Sequence, residues 1–209
     1  MSEFDDLGNR STVIFDFGGV LIEWDPRHLY RKLFVDDEAG MESFLATVCT
    51  QEWNRCQDAG RRAADGVRWL QARHPDQAER IAAYYARFDE MMAGPILGSI
   101  AVLADLRAAG TPLYGLTNFA SETYPGAARR FPFLAWFRGV VVSGEVGAIK
   151  PDPRIYEILM ERFSIDPRRA VFIDDTAANV QAAERLGMYG IHYRCPQELR
   201  AELRQLGLL

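Results

Sequence analysis

The amino-acid sequence predicts an α/β fold: a parallel sheet covered by helices on both faces, with a helical insertion early in the chain. Three observations predict it. Short apolar runs that read as buried strands alternate with segments of helical periodicity. One long stretch after the first run breaks that alternation, and a cluster of polar residues closely follows each of four runs.

The runs are Thr12–Phe15 (TVIF), 112–116 (PLYGL), Gly139–Val142 (GVVV) and 170–173 (AVFI), with a fifth at 189–193 (YGIHY). Each is rich in branched or aromatic residues and bounded by polar residues or glycine, as strands buried on both faces are. Between them, residues 99–109 place Ile100, Leu103 and Leu106 on one helical stripe and stop at Gly110. Pro153–Phe163 and residues 177–186 behave similarly, the latter closed by Gly187. From Pro26 to Ala93 there is no convincing strand, only helix-like segments such as 29–34, 41–49 and 77–92. The expected organisation is therefore a core of residues 1–24 and 95–209, with residues 25–94 as a helical cap domain.

Composition narrows the function. The chain has 209 residues, 48% hydrophobic and 25% charged, enough for one domain with a substantial core or a core with a smaller insert. A net charge of −5 argues against a general nucleic-acid binder, which needs a basic face for phosphates. No apolar run approaches the roughly 18 residues of a membrane span. The start, MSEFDDLGNR, lacks the basic and apolar regions of a signal peptide. Cys49, Cys56 and Cys195 are odd in number and lack metal-site spacing, so they read as reduced thiols in a cytoplasmic protein.

The strand ends carry the chemistry. Asp16-Phe17-Gly18-Gly19 follows the first, Thr117-Asn118 the second, and Asp174-Asp175 the fourth; Lys150-Pro151-Asp152-Pro153 follows the third at a short remove. In a parallel sheet these meet at one edge. Three carboxylates brought together repel unless a cation neutralises them, and an all-oxygen site suits Mg²⁺. With the charge offset, Asp16 could attack a phosphoryl group and form an aspartyl-phosphate that water hydrolyses. Glycine at 18 and 19 permits a sharp turn and close approach to a ligand. Thr117, neighbouring amides and Lys150 could bind phosphate oxygens. Taken singly, these groups are common helix caps, turn formers or solvated charges. Their conjunction behind four separate strands is the signal.

The order DFGGVL, LTN, KPDP, VFIDD resembles the four signature motifs of the haloacid dehalogenase-like (HAD) hydrolases, in particular small bacterial phosphatases with a helical cap after motif one. The resemblance covers Val13 to about Tyr193. It implies a Rossmann-like core, Mg²⁺ as cofactor, and Asp16 as nucleophile and metal ligand, with the Gly18 carbonyl, Asp174 and Asp175 completing the metal set. It assigns Thr117, Asn118 and Lys150 to phosphate binding. One position departs. The usual pattern, D-x-D, places an acid–base aspartate two residues after the nucleophile, and Gly18 stands there. General acid–base help is worth on the order of 10²–10⁴ in rate. Asp25, with Glu23 second, is the sequence's candidate to replace it; capping and solvation at the cap junction is the alternative role.

Two other readings compete. The metal-free 2-haloacid dehalogenases of the same superfamily carry Tyr at the position of Gly18 and Ser and Asn in place of the acidic pair. A non-catalytic scaffold would also be consistent with Gly18. Receiver domains combine similar groups but in the reverse order along the chain. In the cap, Asn54, Gln57 and Asp58 share a face at helical spacing. That face suits the hydroxyls of a sugar or other polyol phosphate; otherwise Trp53 is core and its neighbours are solvated. Arg27 and His28 lie near enough to the junction to meet an anionic substrate. The aromatic run Phe131, Phe133, Trp136 and Phe137 reads as core or a core–cap edge. The expected partner is a small phosphorylated molecule, with neither nucleic acid nor membrane involved, and the chain a monomer or homodimer.

Overall fold

A computed structural model describes residues 10–209. Residues 1–9, which contain most of the polar start and begin the expected core, lie outside the described residues. The chain opens with strand β1 (Thr12–Phe15), then β2 (Ile22–Trp24) and five helices: α1 (Arg27–Tyr30), α2 (Glu38–Thr47), α3 (Gln51–Asp58), α4 (Ala63–Gln71) and α5 (Ala78–Ala86). Strand β3 (Met92–Pro95) returns to α6 (Leu97–Ala108) and β4 (Leu113–Thr117). There follow α7 (Tyr124–Arg130), β5 (Gly139–Val142), α8 (Ser143–Val146) and α9 (Pro153–Phe163). The chain ends with β6 (Ala170–Asp174), α10 (Ala177–Arg185), β7 (Tyr189–His192) and α11 (Pro196–Gln205).

Five strands form one parallel sheet in the order β5-β4-β1-β6-β7. Alternation along the strands sends side chains to two cores. Val13, Phe15, Val171 and Ile173 pack with Val102, Leu106, Leu199 and Leu203 of α6 and α11. Ile14, Leu116 and Phe172 pack with Ile155, Leu159 and Ala183 of α9 and α10. Both faces are therefore covered, which is why the strand sequences are continuously apolar. β1 is central, and the order reverses on either side of it: β4 and β5 on one flank, β6 and β7 on the other. Such a switch point leaves a crevice at the strands' carboxyl ends, and Asp16 follows β1 directly into it.

The stretch expected to be without strands ends in one. Strands β2 and β3 pair as an antiparallel ribbon, Ile22 opposite Pro95 and Glu23 opposite Gly94, at the two crossings between the sheet and the helices. Strands of three and four residues, one containing Gly-Pro, are too short to show alternation. The expected helix at 77–92 is instead α5 flanked by 3₁₀ turns at Pro75–Gln77 and Phe88–Met91, with Arg87 off helical geometry at φ −124° and ψ 28°. The helix expected at 29–34 is the shorter α1. The helices between β2 and β3 pack on aromatic residues: Tyr30, Phe34, Phe44, Trp53, Tyr84 and Phe88 are buried against one another, in one cluster with the side chains of the sheet. Trp53 is thus core, its Nε1 donating to the Gly66 carbonyl at 3.2 Å. Phe131, Phe133 and Phe137 are buried in the larger core, and Trp136 packs against it. The three cysteines are unpaired. Among the described residues no helix is long and apolar enough to cross a membrane.

Candidate active site

Four strand ends converge as their order demands. Asp16, Lys150 and Asp174 are all nearly or fully buried. The Lys150 Nζ lies 2.9 Å from Asp16 Oδ1 and 2.7 Å from Asp174 Oδ2, one ammonium between two carboxylates. Asp16 Oδ1 also accepts from the Phe17 backbone N–H at 2.7 Å. Both donors therefore reach Oδ1, and Oδ2 is the oxygen left to act. Asp174 is held from every side: Thr176 N–H donates to Oδ1 at 2.8 Å, and Asn179 Nδ2 lies 3.0 and 3.1 Å from its two oxygens.

Burial pushes the Asp16 carboxyl up to about 7; Lys150 opposes this, and Asp174 and Asp175 add to it. Burial alone would lower the Lys150 ammonium, but Asp16 and Asp174 together outweigh it and hold the group above its ordinary value. The Asp175 carboxyl is raised by burial and by Asp174. Oxygens of Asp16, Asp174 and Asp175 lie within 4.8 Å of one another. Three carboxylates against one ammonium leave two negative charges, and all the donor atoms are hard oxygens. That set fits a divalent cation such as Mg²⁺.

Glycine is required at 19. Its φ is +72°, and a Cβ there would overlap the Asp175 carboxylate. Gly18 differs: a Cβ at that position meets nothing within 4 Å. The usual acid–base position is therefore open space here.

Thr117 and Asn118 are both at the end of β4, but they are placed differently. Thr117 is almost wholly buried, and Asn118 borders the crevice. The Asn118 carboxamide is used structurally: its Oδ1 accepts from Lys150 N–H at 2.9 Å and its Nδ2 donates to the Lys150 carbonyl at 3.1 Å. This pair fixes the backbone that carries Lys150. Ser143, fully buried at the end of β5, braces the same loop by accepting from Phe119 N–H at 2.9 Å. Asn179 and Ser143 were not anticipated. Asn179 had a signal, a polar residue in a run of small ones five positions after Asp174; Ser143 had none.

Above the strand ends lies a cavity of about 330 Å³, at the lower end of the range for small-ligand sites. Asp16, Lys150, Asp175 and Asn179 line it from the strand-end side, and Asn54, Arg55 and Asp58 from helix α3. Trp24, Phe88 and Phe119 supply its aromatic walls. Asn54 and Asp58 are buried and joined: Asn54 Nδ2 donates to Asp58 Oδ2 at 2.9 Å, and Tyr85 Oη donates to Asn54 Oδ1 at 2.7 Å. Burial pushes the Asp58 carboxyl up to about 7, against the opposing influence of Arg55 and the Ala120 backbone N–H. Gln57, expected on the same face, instead turns away from the cavity, donating to the Trp53 carbonyl and accepting from Arg61.

Asp25 does not join the site. Its Oδ1 accepts from Arg27 N–H at 2.8 Å at the start of α1 and pairs with the Arg27 guanidinium at 3.3 Å. It borders a separate hollow with Glu42 and Tyr84. Glu23 is 61% exposed on the ribbon and faces His28 at 3.4 Å. Arg27 is engaged by Glu42 Oε2 at 2.8 Å, and neither it nor His28 lines the cavity. Nearness in sequence to the first strand end predicted a role that the ribbon's direction removes.

Residues 11–187 match the model of the family described as haloacid dehalogenase-like hydrolase. Among known proteins, the chain is 25% identical over 193 residues to the sesquiterpene phosphatase astK of Aspergillus oryzae, covering 92% of this chain and 94% of that one. It is 24% identical over 184 residues to the validoxylamine A 7′-phosphate phosphatase of Streptomyces hygroscopicus subsp. limoneus, covering 84% and 82%. Among solved structures, a HAD-family enzyme of Bacteroides thetaiotaomicron in complex with magnesium and inorganic phosphate superposes with a TM-score of 0.67. It is 23% identical, and the match covers 89% of this chain and 95% of that one.

Proposed function

The chain belongs to the haloacid dehalogenase-like hydrolases, and we propose that it is a magnesium-dependent phosphatase that cleaves a small phosphorylated metabolite through an aspartyl-phosphate on Asp16. The observation that carries this reading is the charge of the site: three carboxylates within 4.8 Å and one ammonium. A dehalogenase-type attack on carbon needs no cation and gives no reason to assemble Asp174 and Asp175 beside the nucleophile. Both full-length relatives named above are phosphatases, and the superposed Bacteroides enzyme holds magnesium and phosphate.

Asp16, Asp174, Asp175 and the Gly18 carbonyl would hold the metal. Bound there, Mg²⁺ supplies the positive charge that lets a phosphoryl dianion approach an anionic nucleophile. This chain's residues do the rest. Lys150 and the Phe17 N–H fix Asp16 through Oδ1 and leave Oδ2 for attack on phosphorus. Lys150 also offsets charge on the phosphoryl group, and Asn118 holds Lys150 in register. Thr117, the last residue of β4, would bind the phosphoryl group from beneath the cavity.

Residues 25–94 act as the cap that closes the crevice and selects the substrate. Asn54 and Asp58 on α3 suit the hydroxyls of a polyol or sugar phosphate, and Arg55 suits a further anionic group. A phosphatase screen over a panel of phosphometabolites, with and without Mg²⁺, tests the reading, with Asp16→Asn as control. Turnover that survives either the substitution or metal removal would sink it.

A further inference from the structure

Gly18 leaves the reaction without its usual proton donor, and the cavity itself indicates where another sits. Its titratable lining residues, among those described, are Asp16, Asp175, Lys150, Arg55 and Asp58. Asp16 and Asp175 belong to the carboxylate cluster, and Lys150 is committed to Asp16 and Asp174. Arg55 is exposed, and a guanidinium does not give up its proton in this pH range. Asp58 remains.

We propose that Asp58, carried by cap helix α3, is the acid–base residue of the Asp16 reaction, doing from the cap what a carboxyl at position 18 would do from the core. The proposal rests on the phosphatase reading above. Asp58 is 8% exposed and borders the same cavity as Asp16. Its orientation is fixed by Asn54, which is in turn held by Tyr85. The groups that act on it are Arg55 on its own helix, the Ala120 N–H from the core loop, and Tyr84 and Tyr85 from α5; Lys150, Asp16 and Asp175 line the same cavity. Burial among them raises its carboxyl to about 7, so it is poised both to give and to take a proton near neutrality.

The steps balance. Asp16 Oδ2 forms a bond to phosphorus as the bond from phosphorus to the ester oxygen breaks, and that oxygen takes the Asp58 proton and leaves as an alcohol. Asp58, now a carboxylate, takes a proton from water as the water oxygen attacks phosphorus. The bond from phosphorus to Asp16 breaks, returning Asp16 as a carboxylate and releasing phosphate. Because the acid sits on the cap, leaving-group protonation requires the cap to be seated.

The test compares two esters that differ in their need for an acid. An alkyl phosphate, such as glycerol phosphate, has a poor leaving group; p-nitrophenyl phosphate has a good one. Asp58→Asn should lower kcat on the alkyl ester by about 10²–10⁴-fold and on the aryl ester by less than about tenfold. Adding Gly18→Asp to Asp58→Asn should restore alkyl turnover, since a side chain at 18 enters open space and Gly18 is not among the glycines at positive φ. Equal losses on both esters would mean that Asp58 only binds substrate, and unchanged alkyl turnover would mean that it does neither; each overturns the proposal. Failure of Gly18→Asp to restore alkyl turnover would also count against it. Wild-type inactivity toward both esters would overturn the phosphatase reading and this proposal together, whereas Asp16-dependent wild-type turnover confines a failure to Asp58.

Discussion

Replacing Lys150 with Met removes the one ammonium that separates two buried carboxylates, and the cost follows from that geometry. Lys150 is 1% exposed and lies 2.9 and 2.7 Å from Asp16 and Asp174. Deleting one partner of a buried pair costs about 3–5 kcal/mol, because the charge left behind is neither paired nor solvated. Here the ammonium faces two carboxylates, and without it Asp16 relieves part of the cost by taking up a proton. For 209 residues, with an unfolding entropy of about 2 cal/mol/K per residue, that loss lowers the melting temperature by about 7–11 °C. The assay is thermal unfolding in EDTA at pH 8, above the value near 7 to which burial raises Asp16. Two controls follow from the same argument. Saturating Mg²⁺ should narrow the gap between Lys150→Met and wild type, since a divalent cation offsets the same carboxylates. Lowering the pH to 6 should narrow it too, since a protonated Asp16 no longer needs the ammonium. A metal-free variant melting within about 2 °C of wild type, less than about 1 kcal/mol, would refute the reasoning. So would a gap that neither Mg²⁺ nor acid reduces.

Three further outcomes are expected. Asp58 is raised to about 7 when folded but titrates near 3.8 when unfolded, so the folded state holds the extra proton and this group's contribution to stability falls as pH climbs from about 4 to about 7. Asp58→Asn removes a penalty of up to about 4 kcal/mol; urea unfolding at pH 8 should find the variant more stable, with the gain absent below about pH 4. Gly19→Ala places a methyl group against Asp175 at a φ of +72°. It should cost about 1–3 kcal/mol and weaken Mg²⁺ binding by calorimetry. Asn179→Ala removes the donor that reaches both oxygens of Asp174 and should weaken Mg²⁺ binding by about 10–100-fold, as a metal titration would show.

What could be read in the sequence was whatever a short range of residues decides. TVIF before Asp16 and AVFI before Asp174 are apolar runs cut by a charge, and both proved to be parallel strands with the charge at the crevice. Three features needed tertiary information. The β2–β3 ribbon pairs residues some 70 positions apart over three or four residues, too few for periodicity. Asp25 is nine residues from Asp16 in sequence, but the ribbon carries it to the start of α1, where its carboxylate holds Arg27. Helical spacing put Asn54, Gln57 and Asp58 on one face, but the orientation of α3 decides which of them meets the cavity. Asn54 and Asp58 enter the cavity, and Gln57 turns toward Trp53.

The central claim is that Asp16 becomes phosphorylated in each turnover, and the intermediate itself is its most direct test. With Mg²⁺ and an aryl phosphate, acid quenching during steady-state turnover followed by peptide mass analysis should find a phosphoryl-mass increase. It should lie on the peptide containing Asp16, be released by hydroxylamine as acyl phosphates are, and be absent in Asp16→Asn. Turnover with no adduct at Asp16, or with a phosphoryl group on another residue, would contradict the account.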